Sequence, residues 1–310
     1  MTPRVAIIIV VWNGLADTLE CLESLQADRH PEKEIVLVDN GSSDGTVAAV
    51  RRAFPTVTIL ETGANLGFTG GNNVGIRHAL AQGADYIYLL NNDTTVEPDA
   101  LAALVAAAAA EPRAGLLAPI IYEYYPPRKI WFAGSKMDLP RGAAWHDNSR
   151  VPEPTDAPYE VPWATGCAML IPALLMRDLG GFDDRYYLSW EDVDLCVRVR
   201  KAGRSIVAVP GARIYHKGGR SGLRMTGIRN YYAVRNSLLL MRKHSGAAYF
   251  RSAPQLVCSF LWQSLRSREG LAARLECCRS VLDAVCDHLR QRYGPYRSAA
   301  VKIARNPAPA

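Results

Sequence analysis

The chain has 310 residues, 49% of them apolar and 21% charged, a composition that excludes a disordered, collagen-like or coiled-coil protein. No stretch of about 18 or more uncharged apolar residues occurs, so no segment reads as a membrane-spanning helix. The net charge of +6 is unevenly placed: residues 1–220 carry 21 Lys/Arg and 26 Asp/Glu, residues 221–310 carry 15 and 4.

An acidic body with a basic tail suits contact with phosphates or an anionic membrane, and equally a solvated basic helical face. The seven cysteines (Cys21, Cys167, Cys196, Cys258, Cys277, Cys278 and Cys286) show no C-x-x-C spacing. That argues against a structural zinc site and a secreted disulfide framework, so a reducing cytosol is the expected setting.

The N-terminal run Val5–Val11 is short and lacks a small-residue cleavage site, so it reads as a buried first strand, not a signal peptide. Leu19, Leu22 and Leu25 mark a helix over 17–26. A second strand, 34–39, ends in the turn-rich Asn40-Gly41-Ser42-Ser43-Asp44-Gly45-Thr46, followed by a helix over 47–54. A third strand is expected at 57–61, a helix at 72–82, a fourth strand at 85–90 and an alanine-rich helix at 97–110. This alternation predicts an α/β protein with a mostly parallel, doubly wound sheet. Residues 122–162, rich in Pro, Tyr and Gly, read as a long excursion over the sheet. A strand follows at 163–171, a helix at 192–202, and two strands at 205–210 and 213–216. From Gly227 the pattern is helical, with interruptions expected at Pro254 and Gly270. No repeat of 20–50 residues is present.

In an open α/β sheet, ligands collect beyond the carboxyl ends of the strands. The first four ends carry Trp12-Asn13-Gly14, Asp39-Asn40-Gly41-Ser42, Gly63 to Asn73, and Asn91-Asn92-Asp93. These are short polar groups with backbone that a ligand approaches closely. Each piece has a plainer reading: Asp39-Asn40-Gly41 as a turn, Asp93 as part of a helix cap. The glycine-rich stretch is neither a P-loop nor a dinucleotide fingerprint, since no GK[ST] follows and it comes after the third strand. Later, Trp190-Glu191-Asp192-Val193-Asp194 sets three carboxylates before a helix, where capping accounts for one or two. Tyr215-His216-Lys217-Gly218-Gly219 places a histidine at a strand end, where a structural role is the alternative.

Taken in order, Val10 to Gly14, Val38 to Thr46, Asn65 to Asn73, Leu90 to Asp93, Thr165-Gly166-Cys167 and Trp190 to Leu195 resemble family 2 glycosyltransferases, most closely the rhamnosyltransferase-like branch. The resemblance covers about residues 4–245. It implies the GT-A fold, with a nucleotide-sugar-binding half over 1–120, an acceptor half over 121–225 and a basic helical extension over 226–310. It implies inverting transfer of a sugar from a nucleoside diphosphate donor to a hydroxyl, with Mg²⁺ or Mn²⁺. Carried across, Asp39 reads the pyrimidine edge while Trp12, Asn13 and Asn65 line base and ribose. Gly67, Asn72 and Asn92 complete the nucleotide-sugar set. Asn91 and Asp93 occupy the ends of the family's D-x-D motif, and Asp93 and His216 are metal ligands. Asp192 is the base. Glu191, Trp190 and Cys167 support the acceptor side. By residue type, Trp190, Tyr186 and Tyr187 offer aromatic faces to a sugar, with packing in the protein as the alternative for such large apolar side chains.

Asn91 departs from the family's usual Asp and brings no negative charge. The imidazole of His216 tilts the choice of cation toward Mn²⁺. Lys217, Arg220 and Arg224 are candidates to hold the diphosphate. Over residues 251–268, Leu256, Val257, Phe260, Leu261, Trp262 and Leu265 lie between arginines. This pattern suits an anionic membrane and a lipid-linked glycan acceptor at its cytoplasmic face, or equally packing on the catalytic domain or in a homodimer. The expected donor is dTDP-rhamnose, then UDP-hexoses. The alternatives are a sugar-nucleotide-binding protein without transfer activity, suggested by Asn91, and a nucleotidyltransferase. The second lacks a basic residue over 12–17 after the first strand. No nucleic-acid partner is expected.

Overall fold

The computed structural model describes residues 2–125, 129–218, 226–267 and 270–296. Its elements run β1 (Val5–Val11), α1 (Leu15–Ala27), β2 (Lys33–Asp39), α2 (Thr46–Ala53), β3 (Thr58–Glu61), α3 (Gly67–Ala81), β4 (Tyr86–Asn91), β5 (Thr94–Val96), α4 (Ala100–Ala110), β6 (Ala114–Glu123), β7 (Ile130–Phe132), β8 (Ser135–Asp138), β9 (Ala143–His146), β10 (Tyr159–Glu160), β11 (Ala168–Pro172), α5 (Ala173–Leu179), α6 (Glu191–Lys201), β12 (Ser205–His216), α7 (Thr226–His244), α8 (Ala248–Arg266) and α9 (Leu271–Leu289). They divide into two units. One comprises Met1–Met137, Trp145–Asp183 and Asp192–Ser221; the other comprises Asp138–Ala144, Asp184–Glu191 and Gly222–Ala310.

The first unit is built on a sheet ordered β10-β12-β6-β11-β4-β1-β2-β3, with β5 paired to β12 and β7 to β6. The block β3-β2-β1-β4 is parallel. β11 runs antiparallel between β4 and β6, while β6 and β12 are parallel. β1 is almost wholly buried, as a β-branched strand covered on both faces must be. The parallel strands aim their carboxyl ends at one edge, which gathers Trp12 to Gly14, Asp39 to Ser42 and Asn91 to Asp93 there.

Among the elements that depart from the expectations, four have a clear physical reason. Helix α3 begins at Gly67, not at 72, although glycine is a poor helix former. Its glycines serve close packing instead: a Cβ on Gly75 would lie 2.4 Å from Ile8 Cγ2, and one on Gly71 would lie 2.7 Å from Val10 Cγ1. The long strand β6 was not anticipated, because Pro119 sits within it. Pro119 stands opposite Val209, where the register of β12 shifts before Arg213, and a bulge of this kind tolerates a residue without an N–H. The same bulge makes one strand, β12, of the two expected around Pro210. Pro254 lies inside α8 without ending it, whereas Gly270 does separate α8 from α9.

In the second unit, Tyr231, Tyr232, Val234, Leu238 and Met241 of α7 form a core with Ala253, Val281 and Ala284. Leu256, Val257, Phe260 and Leu261 of α8 pack against this core, so most of the apolar face expected to meet a membrane or a partner is spent inside the unit. Arg235 is fully buried. It donates to the carbonyls of Gly294 (2.7 Å), Tyr186 (2.7 Å) and Arg185 (3.2 Å). The neighbouring Asn236 amide donates to the carbonyls of Tyr186, Leu188 and Ser189. These bonds hold a loop in which Tyr187, Ser189 and Trp190 have φ of 64°, 67° and 72°, a left-handed conformation that non-glycine residues adopt only at a cost.

Gly75→Ala tests the close packing of α3 on β1. The added methyl meets Ile8 in the fully buried strand, and overpacking of this kind costs about 1–3 kcal/mol, which urea unfolding of the two proteins measures.

Candidate active site

The loops after β1 and β2 are tied together by short polar side chains. Asn13 (φ 52°) donates its N–H to Ser42 Oγ at 3.0 Å, and its Oδ1 accepts from the Ser43 N–H at 2.8 Å. The buried Asp39 carboxylate accepts from the N–H groups of Gly41 and Ser42. Asp44 joins the same edge, accepting from the Leu15 N–H and from Thr46 at the start of α2. Asn40 reaches the Gly67 carbonyl at 2.9 Å, and Asn65 Oδ1 accepts from the Gly67 N–H. Trp12, Asn13, Asp39, Asn65 and Gly67 thus sit on linked loops at one edge of the sheet. Asn72 differs: it is buried within α3 and its amide donates to the Phe68 carbonyl.

The end of β4 carries the second cluster. Asn91 donates its N–H to the Cys167 carbonyl at 2.9 Å. Asn92 donates to Thr18 Oγ1 at 3.1 Å. Asp93 is buried, its carbonyl accepts from the Lys217 N–H, and its Oδ1 lies 3.2 Å from His216 Nε2. The His216 ring packs on Trp131, with centroids 4.6 Å apart. Burial works against a charge on His216, but the Asp93 carboxylate 3.2 Å away outweighs it and raises its pKa. The Cys167 thiol is itself pushed up by burial and stays protonated.

Asp192 lies at the start of α6. Its Oδ2 accepts from the Gly166 N–H at 2.9 Å and its Oδ1 from the Val193 N–H at 2.8 Å. Burial raises its pKa, and these backbone donors oppose the rise. Gly166 and Cys167 therefore bring the three predicted residues into one neighbourhood: Gly166 holds Asp192, while Cys167 touches both the end of β4 and His216.

Asp194 pairs with Arg198 Nε at 2.8 Å, and that arginine holds the carbonyls of Leu179 and Gly181, so it is structural. In the second unit, Glu191 is buried and Trp190 half-buried, while Tyr186 is fully buried and Tyr187 stacks on Tyr232. The two tyrosines are packing residues, not free faces for a sugar.

Lys217 is also corrected. Its Nζ, with the side chain only 5% exposed, pairs with Asp17 at 2.7 Å and with Glu20, which accepts in turn from the Tyr124 hydroxyl. It is not available to a diphosphate. Arg220 and Arg224 lie outside the described residues. This Lys217 network and the Trp131 platform were not read from the sequence: Trp131 falls in the irregular stretch 122–162, and nothing in local spacing pairs residue 217 with 17 and 20.

Among the described residues, no group of three or more His, Cys, Asp or Glu side chains is placed to hold a metal ion. Asp93, and His216 once its ring has lost its proton, could offer two ligands. Their 3.2 Å separation matches the roughly 3 Å between neighbouring ligands of an octahedral cation with bonds of about 2.1 Å. His216 Nδ1 is buried without a hydrogen bond. The pair fits a cation that takes its other ligands from a diphosphate and water.

The fold is shared with glycosyltransferases of solved structure. A structure of GalNAc-T7 with UDP, GalNAc and Mn²⁺ superposes with a TM-score of 0.65 at 15% identity, covering 91% of this chain and 54% of that one; the chain spans about half that protein's length. The mannosyltransferase PcManGT from Pyrobaculum calidifontis, in complex with GDP-Man and Mn²⁺, superposes with a TM-score of 0.57 at 17% identity, covering 93% and 88%. Architecture and site together define a glycosyltransferase of GT-A fold. The sequence model of Glycosyl transferase family 2 matches residues 6–168, and the chain belongs to that family. It is similar to the N-acetylglucosaminyl-diphospho-decaprenol L-rhamnosyltransferase of Mycobacterium tuberculosis, with 32% identity over 239 residues, 70% of this chain and 76% of that protein. It is also similar to the dTDP-rhamnosyl transferase RfbF of Shigella flexneri, with 22% identity over 259 residues, 79% of this chain and 82% of that protein. These relatives place it in a rhamnosyltransferase-like branch.

Lys217→Met leaves Asp17 and Glu20 without their cation. Because Glu20 is partly exposed and screened, the expected loss is about 1–3 kcal/mol at neutral pH, below that of a fully buried pair. Hydrogen bonds from Lys217 and Tyr124 hold Glu20 below its ordinary 4.5. The pair's contribution is therefore present above that value and lost as pH falls through the lower folded pKa. Unfolding curves of the two proteins should converge in acid.

Proposed function

We propose that the chain transfers rhamnose from dTDP-rhamnose, with inversion, to a hydroxyl of a glycan or lipid-linked glycan. The observation that carries this reading is the shared segment Gly166-Cys167, which ties Asp192 on one side and the Asp93–His216 pair on the other. The named activities of the rhamnosyltransferase relatives support the donor, and the decaprenol-linked substrate named for one of them supports a lipid-linked acceptor.

In this reading Asp39, Trp12, Asn13 and Asn65 hold the nucleoside. Asp39 keeps lone pairs for the N3–H of a pyrimidine, while Asn91 and Asn92 offer amides to ribose and phosphate. Asp93 and His216 would hold Mg²⁺ or Mn²⁺, which supplies Lewis-acid neutralisation of the leaving diphosphate. Asp192 takes the proton of the acceptor hydroxyl on the face opposite the leaving group, a contribution of roughly 10²–10⁴-fold. Its raised pKa makes it a stronger base than an ordinary aspartate. Glu191, Trp190 and Cys167 support the acceptor side. The acceptor would be met at the cytoplasmic face of a membrane; among the described residues no helix is long and apolar enough to cross one.

Two measurements test this. Asp192→Asn should lower kcat by roughly 10²–10⁴-fold while leaving dTDP-dependent thermal stabilisation intact. In the parent enzyme the acid limb of kcat/KM should titrate above the ordinary aspartate range, with activity rising as the carboxyl loses its proton. In a thermal-shift series with and without Mn²⁺, dTDP-rhamnose at a hundred times its Kd should stabilise by about 2.7 kcal/mol, and His216→Ala should remove the Mn²⁺-dependent part. Donor binding with no transfer to any acceptor, unchanged by Asp192→Asn, would favour the sugar-nucleotide-binding alternative that Asn91 suggests.

A further inference from the structure

The second unit exposes an apolar face that its own packing does not use. Along α9, Leu271, Leu275, Cys278, Leu282, Cys286 and Leu289 recur at intervals of three and four residues, which aligns them on one side of a helix. The four leucines are 72%, 58%, 53% and 68% exposed, although core-facing leucines are normally buried. The stripe continues into an apolar groove of about 390 Å³ whose lining includes Phe250, Pro254 and Cys258 of α8 and Val285 and Leu289 of α9. Phe250, Trp262 and Leu265 on α8 are exposed as well.

The charges around this face are arranged by sign. Helical spacing puts Arg274 along one border of the α9 stripe and Arg279 and Arg290 along the other; Arg279 is 82% exposed and lies 4.0 Å from the half-exposed Asp283 carboxylate. The carboxylates of α9 lie away from the stripe. Asp283 accepts from the Tyr296 hydroxyl at 2.7 Å and Asp287 from the Tyr231 hydroxyl at 2.8 Å, while Glu276 lies over Gly227. An apolar stripe bordered by arginines, with an exposed tryptophan on the neighbouring helix α8, matches a surface that lies in the headgroup layer of an anionic bilayer. A second copy of the chain fits it less well, because face-to-face pairing would bring arginine borders together.

We propose that the exposed face of α9, with Phe250, Trp262 and Leu265 of α8, docks on an anionic lipid surface. This keeps Trp262 and Leu265 of the α8 face expected from the sequence and replaces Leu256, Val257, Phe260 and Leu261, which pack against the unit's core, with the α9 stripe. Flotation of the full chain with vesicles tests it, using phosphatidylcholine alone and phosphatidylcholine mixed with phosphatidylglycerol. No nucleotide sugar is present, so the result is independent of the transfer reaction. Binding is expected to the mixed vesicles and to weaken as salt rises. Leu275→Gln with Leu282→Gln should lower partitioning at least about tenfold, and Arg274→Gln with Arg279→Gln should abolish the preference for phosphatidylglycerol. All four positions lie outside the core, so both variants should keep the parent's unfolding midpoint. Absence of binding to the mixed vesicles overturns the proposal. So does a parent dimer that the leucine variant converts to monomer while vesicle binding stays the same, which would assign the face to contact between copies.

Discussion

The hydrogen bond from the Gly166 N–H to Asp192 is the constraint on which the site turns. A carboxylate moved out of water is costly unless donors replace its solvation, and the peptide N–H groups of Gly166 and Val193 do so without adding a positive side chain. Burial raises the carboxylate's affinity for a proton, and the two backbone donors limit that rise. One residue further, the Cys167 carbonyl is fastened to the end of β4 and its thiol meets His216. A single turn of irregular backbone, between the expected strand start at 163 and the true start at Ala168, thus relates two groups far apart in the chain. Asp192 and the Phe68 ring pack against Gly166, each about 3.4 Å from where a Cβ would stand, which is ordinary contact.

Much of this edge was legible beforehand because short parallel strands announce themselves by β-branched runs, and their ends by Asn, Asp and Gly. Val5–Val11 was read to the residue. Recognition of six ordered motifs supplied the family and the fold. The misreadings have local causes. Pro119 and Pro210 look like breaks because proline cannot donate to a ladder, but a bulge between facing strands absorbs both. Glycines 67, 70 and 71 look like loop, but the helix already begins at Gly67, and Gly71 and Gly75 let it lie close against β1. The partner of Lys217 was invisible because electrostatic pairing over two hundred positions leaves no periodic trace. For Tyr186 and Tyr187, side-chain type left both a sugar face and packing open, because it does not report which way a ring faces; the structure packs them.

The same limit explains the helical unit. Heptad-like apolar spacing occurs on both α8 and α9, and sequence does not say which stripe the unit consumes. On α8 most of it is consumed; on α9 it is left outside. A basic tail was evident from charge counting, but only the fold separates the arginines that border an apolar face from Arg235, which is wholly internal.

Arg235 has a consequence for how the helical unit yields to stress. One guanidinium gathers acceptors from the 185–186 stretch and from Gly294, and Asn236 adds the next carbonyls of the same loop. Segments over a hundred positions apart in the chain therefore share a common keystone. They should come apart in concert, with little independent fraying, because releasing any one of them strands buried donors that the others cannot satisfy. A lysine in that position, with a single compact head, has no fork with which to bridge them.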